Sequence, residues 1–152
     1  IRKEVILMMI REAEKEENSI IADIWLMSMR SAHYGFKETY WTKQYKSIRI
    51  KYSQVRSDVY VYEDGGVLLG FGAYVRDSDM VRIFVAPGYQ HKGIGSALLK
   101  FFEERYGSFS CRCYRHNAPA VNFLKNRGYA IIEKRQNVDS AAEEYVFRKE
   151  KE

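Results

Sequence analysis

Apolar positions recur along the chain with two periods, and each change of period marks an element. Residues 5–10 form the longest apolar run and, with Arg11, predict a first strand. From Asn18 to His33 the apolar residues Ile20, Ile21, Ile24 and Trp25 fall at helical spacing, with Asn18 or Ser19 available as cap. A second helical pattern covers residues 37–52. The period then shortens. Residues 58–64 (DVYVYED) are β-branched and aromatic, and Gly65-Gly66 turns them into residues 67–75 (VLLGFGAYV), a hairpin signal. The polar stretch RDSD turns the chain again into residues 80–87 (MVRIFVAP), which completes an antiparallel meander. Ile94, Ala97, Leu98, Phe101 and Phe102 make the apolar stripe of a third helix. Residues 109–115 predict a strand. Residues 117–128 predict a short helix with Asn117 as cap, Pro119 in the first turn and Gly128 as stop. Strands at 129–134 and 144–150 close the order β-α-α-β-β-β-α-β-α-β-β.

Composition narrows the class. The 152 residues are 46% hydrophobic and 30% charged, which is globular. A chain of this length buries roughly 70% of the surface its unfolded form exposes. Pro87 and Pro119 are the only prolines and no linker or repeat divides the sequence, so one domain is expected over 1–152. No apolar run approaches the ~20 residues of a membrane span, and residues 5–10 are too short for a signal-peptide core. A soluble, cytoplasmic protein without a membrane partner is the expectation. Met8-Met9-Ile10-Arg11 resembles a native start, so residues 1–7 read as an upstream or non-native extension.

Cys111 and Cys113 sit two apart on a predicted strand and share a face. Two ligands do not close a zinc site, so the expectation is reduced thiols and no metal. The net charge is +5 and the basic residues cluster. Arg30, Lys37, Lys43, Lys46, Arg49, Lys51 and Arg56 face one acid in that span, Glu38. Such a surface suits a polyanion or a phosphate-bearing cofactor. No nucleic-acid motif accompanies it, so a nucleic-acid partner is not expected.

The stretch FVAPGYQHKGIGSALLKFF, residues 84–102, ends a strand at a proline, gathers basic and small residues, and launches a helix. A helix N-terminus exposes unpaired N–H groups and about half a positive charge, and glycines before it let a phosphate reach the backbone. Residues 90–96 therefore read as a pyrophosphate cradle. The P-loop spacing is absent, and so is the third glycine of the dinucleotide fingerprint, whose place is taken by Leu98. Two glycines alone fit a ligand-free tight turn equally well.

The company they keep decides between these readings. V-x-P-x-x-Q-x-x-G-x-G, residues 85–95, resembles the acyl-CoA-binding motif of the GNAT superfamily of N-acetyltransferases. NAPAVNFLKNRGY, residues 117–129, is similar to the family's second signature through Asn117, Ala120, Phe123 and Gly128, with Tyr129 in place of its final Phe. The resemblance covers nearly the whole chain. It implies an α/β (α+β) fold: a GNAT-like mixed, mostly antiparallel central sheet of about seven strands flanked by about four helices. It implies acetyl-CoA as co-substrate, with its pantetheine arm between the fourth and fifth strands. Ile83, Phe84 and Val85 would bond that arm through their backbone, and the Val85 N–H would face the oxyanion of the attacked thioester. Gln90, His91, Lys92, Gly93, Ile94, Gly95 and Ser96 would hold the pyrophosphate. Asn117 would contact the pantetheine, or serve only as a helix cap.

The implied reaction is transfer of an acetyl group to a primary amine by direct attack in a ternary complex. The acceptor would be a small molecule or a protein, through a lysine or an N-terminus, and a homodimer is compatible with the family. Two familiar catalytic side chains are missing. Leu124 stands where many members have a thiolate-protonating Tyr, and Arg112 where some have a Glu base. Tyr114, two residues from Arg112 on the same face, is a substitute, as are His33 and Tyr40 beside the region that borders the acceptor site. For His33 a helix-terminal role, and for Tyr40 and Trp41 core packing, are the competing readings. The alternative function is a catalytically weak acyl-CoA-binding or regulatory module of the same fold.

Overall fold

Gly65 and Gly66 both take left-handed backbone, at φ 57° and 86°, and this closes the tight hairpin between the second and third strands. The computed structural model describes residues 8–32, 35–138 and 140–149. Within them the chain runs β1 (Met8–Glu12), α1 (Asn18–Ala32), α2 (Glu38–Lys51), β2 (Ser57–Asp64), β3 (Val67–Val75), β4 (Met80–Val85), α3 (Ile94–Tyr106), β5 (Ser110–Tyr114), α4 (Ala118–Asn126), β6 (Tyr129–Gln136) and β7 (Glu143–Lys149). The expected order and the mixed, mostly antiparallel seven-stranded sheet are both present. The strands lie in the order β1-β2-β3-β4-β5-β7-β6. Every neighbouring pair is antiparallel except β4–β5. Among the described residues no helix is long and apolar enough to cross a membrane.

Each face of the sheet carries a helical layer, as alternation along a strand requires. On one face Phe71, Ala73, Phe84 and Tyr114 pack with Ile21, Ile24 and Trp25 of α1 and Trp41 of α2. On the other, Val81, Cys111 and Phe147 pack with Leu99 and Phe102 of α3 and Val121 and Leu124 of α4. Trp41 is 1% exposed, stacked on Phe36 and edge-on to Trp25, so its packing role is met.

The start of α1 differs from the expectation. Neither Asn18 nor Ser19 caps it; a 3-10 turn, Lys15–Glu17, leads directly into the helix. The Glu17 carboxylate accepts from the Glu14 amide at 2.8 Å and from both Arg11 terminal nitrogens at 2.9 and 2.8 Å. That acceptor already serves the chain at the start of the turn, so Asn18 is released to bond Gln54 at 3.2 Å.

Close approach of β3 to α3 depends on Gly72. A Cβ built there overlaps the fully buried Phe102 ring. Gly72→Ala is therefore expected to lower stability by about 1–3 kcal/mol, the range for overpacking a filled core. Urea unfolding, with an unchanged slope and a lower midpoint, would register it.

Candidate active site

β4 and β5 pair at one point only, Met80 opposite Ser110, where the Ser110 amide donates to the Asp79 carbonyl at 3.0 Å. Beyond it the two strands diverge toward Val85 and Tyr114. Amides alternate sides along a strand. The Ala86 amide donates to Leu69 of β3 at 2.9 Å, so the intervening amides of Ile83 and Val85 point away from β3 and into the opening. Unpaired inward N–H groups need a partner. An extended, amide-bearing chain laid along β4 would satisfy them.

At the wide end of the opening the backbone is shaped for an anion. His91 takes φ 64° and Gly93 φ 84°, alternating left-handed positions just before α3, with Gly93 as its N-cap. Such a sequence turns successive N–H groups toward one point, and the helix adds its positive end. A non-glycine residue in left-handed backbone, as at His91, is a conformation that surrounding structure must hold. The Gln90 side chain helps by donating to the Val85 carbonyl at 3.2 Å, which ties the loop to the end of β4.

A cavity of about 600 Å³ joins the opening to this loop. Of the residues singled out in the sequence, Ile83, Phe84, Val85, Gln90, His91, Gly93, Gly95, Ser96, Asn117 and Tyr114 line it. Lys92 and Ile94 do not. The Lys92 ammonium sits over the Tyr89 ring, and the Ile94 side chain is buried against Leu69 and Leu98, which leaves its backbone for a ligand. Asn117 caps α4, accepting from the Ala120 amide at 3.4 Å, and borders the cavity as well. His33 lies outside the described residues. Arg82 and Arg127 also line the cavity and were missed in the sequence. Arg127 bonds the Ser96 hydroxyl and covers the Phe123 ring at 3.9 Å, joining α4 to the first turn of α3. Its signal was its place just before Gly128, in the second motif.

Tyr114 and Tyr40 come together. Their hydroxyls are 3.2 Å apart, and the Ser140 hydroxyl donates to Tyr114 at 3.0 Å. Phe36 meets Tyr114 edge-on and His116 stacks on it. Tyr114 is thus held from several sides, 6% exposed, on the face that carries α1 and α2. Leu124 lines the same cavity from the opposite face. Both cysteines line it too. Burial pushes the Cys111 thiol up to about 12 and the Cys113 thiol up to about 11, so neither is a thiolate at neutral pH.

The Tyr114 face holds a cluster of charge. Arg112 reaches Glu144 at 3.8 Å, and Arg135 bonds the same carboxylate at 2.9 Å. Burial alone would raise the Glu144 pKa, but Arg112, Arg135 and Asn137 outweigh it and hold it below the usual carboxylate range. Arg82 and then burial lower Arg112. Burial, followed by Arg82 and Arg112, pulls Lys51 from 10.5 down to about 7. Between about 7 and 10.5 the unfolded state binds the proton that the folded state has lost, so stability rises with pH across this window. Lys51→Met is expected to remove that rise, read as the difference between the two proteins' unfolding free energies from pH 6.5 to 10.

Residues 20–129 match the sequence profile described as "Acetyltransferase (GNAT) family". A curated relative, the peptidyl-lysine N-acetyltransferase YiaC of Escherichia coli (strain K12), is 33% identical over 125 residues, which is 82% of this chain and 85% of YiaC. Among solved structures, apo YjaB of Escherichia coli superposes with a TM-score of 0.79 at 17% identity, covering 93% of this chain and 96% of YjaB. The PaiA N-acetyltransferase of Thermoplasma acidophilum, in complex with coenzyme A, gives a TM-score of 0.73 at 19% identity, covering 95% of this chain and 99% of PaiA.

Proposed function

The chain belongs to the acetyltransferase (GNAT) family, and from that premise we propose that it transfers the acetyl group of acetyl-CoA to a primary amine by direct attack in a ternary complex. The observation that carries this reading is the opening of β4 from β5 beyond Met80 and Ser110, with the amides of Ile83 and Val85 turned into it. Those amides suit the pantetheine arm. The loop at 91–96 suits the pyrophosphate, with Arg127 beside it.

In this reading the amine nitrogen attacks the thioester carbonyl carbon and the C–S bond then breaks. The Val85 N–H stabilises the charge that develops on the carbonyl oxygen. Amine and thioester are held together, so a bimolecular step becomes effectively unimolecular. The acceptor ammonium sheds one proton to solvent before attack; Tyr114 then gives its proton to the departing sulfur and takes back the one that the nitrogen releases as the amide forms. Tyr40 and Ser140 fix its hydroxyl. A protein lysine, a protein N-terminus and a small amine all remain within the chemistry. YiaC, a peptidyl-lysine acetyltransferase by name, favours the first. The protein is read as one cytoplasmic domain.

Acetylation of a panel of lysine peptides, N-terminal peptides and small amines, followed by mass spectrometry, tests the proposal. Turnover on at least one class is expected. Tight coenzyme A binding with no turnover on any of them would favour the alternative, a module that holds acyl-CoA without using it. Leu124 and Arg112, in place of the familiar acid and base, are what motivate that second reading.

A further inference from the structure

Arg82 of β4 and Arg112 of β5 each lie two residues past the single Met80–Ser110 pairing, and both line the cavity where the strands part. They share the face that Phe84 and Tyr114 present to α1 and α2. We propose that the acceptor amine carries a carboxylate close by, and that Arg82 and Arg112 together bind this carboxylate at the inner end of the cleft. The inference rests on the acyl-transfer reading above and adds the acceptor's chemical class to it.

Charge balance is the first argument. Glu144 is the only carboxylate within ion-pair distance of Arg112 among the described residues, and Arg135 and Asn137 already engage it. Asp77 pairs with Arg56, and Glu133 reaches Arg135 at 3.9 Å. Arg82 has no carboxylate partner among the described residues, and its guanidinium rests over the Phe84 ring at 5.1 Å. Arg82 is the largest single influence on Arg112, and both depress Lys51. The guanidinium groups of Arg82, Arg112 and Arg135 thus face one buried carboxylate, Glu144, and Lys51, pulled down to about 7, adds a partial positive charge. Partly buried cations of like sign favour a bound anion. Planar guanidinium groups favour a carboxylate in particular.

The Tyr52 hydroxyl is buried without a hydrogen-bond partner among the described residues, and its ring lies 5.7 Å from that of Phe84, the ring over which Arg82 rests. Buried hydroxyls are normally partnered. An amine reaches the cleft largely as ammonium at neutral pH. Arg82, without a carboxylate, and Arg112, sharing Glu144 with Arg135, repel a bare ammonium, whereas an acceptor with a neighbouring carboxylate brings its own compensation. The carboxylate source is an acidic residue next to the acceptor lysine in a peptide, or the α-carboxylate of a free amino acid.

The test uses two matched probe pairs against the full chain saturated with coenzyme A: a short Lys-Glu peptide with its Lys-Gln counterpart, and free lysine with lysinamide. Calorimetry is expected to show the carboxylate member of at least one pair binding ten-fold or more tightly. That preference should vanish in Arg82→Gln/Arg112→Gln and persist in Arg82→Lys/Arg112→Lys. Coenzyme A affinity and thermal midpoint report whether each variant is folded. The pair that shows the preference identifies the source of the carboxylate. Equal binding within both pairs, or a preference that survives the double Gln variant, overturns the inference. Turnover of the same probes with acetyl-CoA judges the acyl-transfer reading separately. Selective binding without turnover leaves the carboxylate site standing and removes the acetyltransferase reading; turnover without selectivity does the reverse.

Discussion

Gly93→Ala is expected to weaken coenzyme A binding by about 5- to 30-fold while the rest of the fold is retained. Gly93 caps α3 at φ 84°, and a Cβ there meets nothing within 4 Å, so steric overlap is not the cause. The cause is conformational. Left-handed backbone at a non-glycine residue costs roughly 1–2 kcal/mol, or roughly one decade in an equilibrium constant. The free loop escapes that strain by turning its amides elsewhere, and ligand binding must then restore the strained form. Gly107, at the other end of α3, is the control. It sits at φ 77°, also with open space around its Cβ, and away from the cavity. Gly107→Ala should lower the thermal midpoint and leave calorimetric affinity for coenzyme A unchanged. Equal affinity in wild type and Gly93→Ala would mean that the 91–96 backbone does not grip the diphosphate.

Glycines also show what the sequence makes legible. Gly65-Gly66 and Gly93 act through local backbone geometry, so the residue type announces the conformation. Strand periods are local too, and the meander from β2 to β4 falls where the alternation places it. What escaped the sequence is set by partners far along the chain. Arg82 reads as one polar residue in an apolar strand, and only the parting of β4 from β5 puts it across from Arg112. Tyr40 and Tyr114 are 74 residues apart, and no periodicity links them. The start of α1 differs because Glu17, anchored by Arg11, already accepts from the Glu14 amide, and a propensity for caps at Asn18 takes no account of that pair. The Gly72 contact with Phe102 is likewise a matter of packing between elements.

Tyr114→Phe is expected to lower kcat by about 10²–10⁴, the range for loss of a general acid, with KM for the acceptor and affinity for coenzyme A nearly unchanged. The ring packs against Phe36 and His116, and the substitution keeps that packing while removing one hydroxyl. A thiol of pKa ~8.5 is a tolerable leaving group, so activity should fall without vanishing. Leu124 supplies the decisive comparison. It borders the same cavity from the α4 side, so a tyrosine there approaches the sulfur from the opposite face of the sheet. In a Tyr114→Phe background, Leu124→Tyr should recover a large part of kcat; in the wild type it should add little, because the proton is already delivered. If Tyr114→Phe alone leaves kcat intact, Tyr114 is packing and its hydroxyl network with Tyr40 and Ser140 is structural. If Leu124→Tyr raises the wild-type rate by orders of magnitude, the natural chain lacks an acid on either face, and the weak-module reading gains the support that the transferase reading loses.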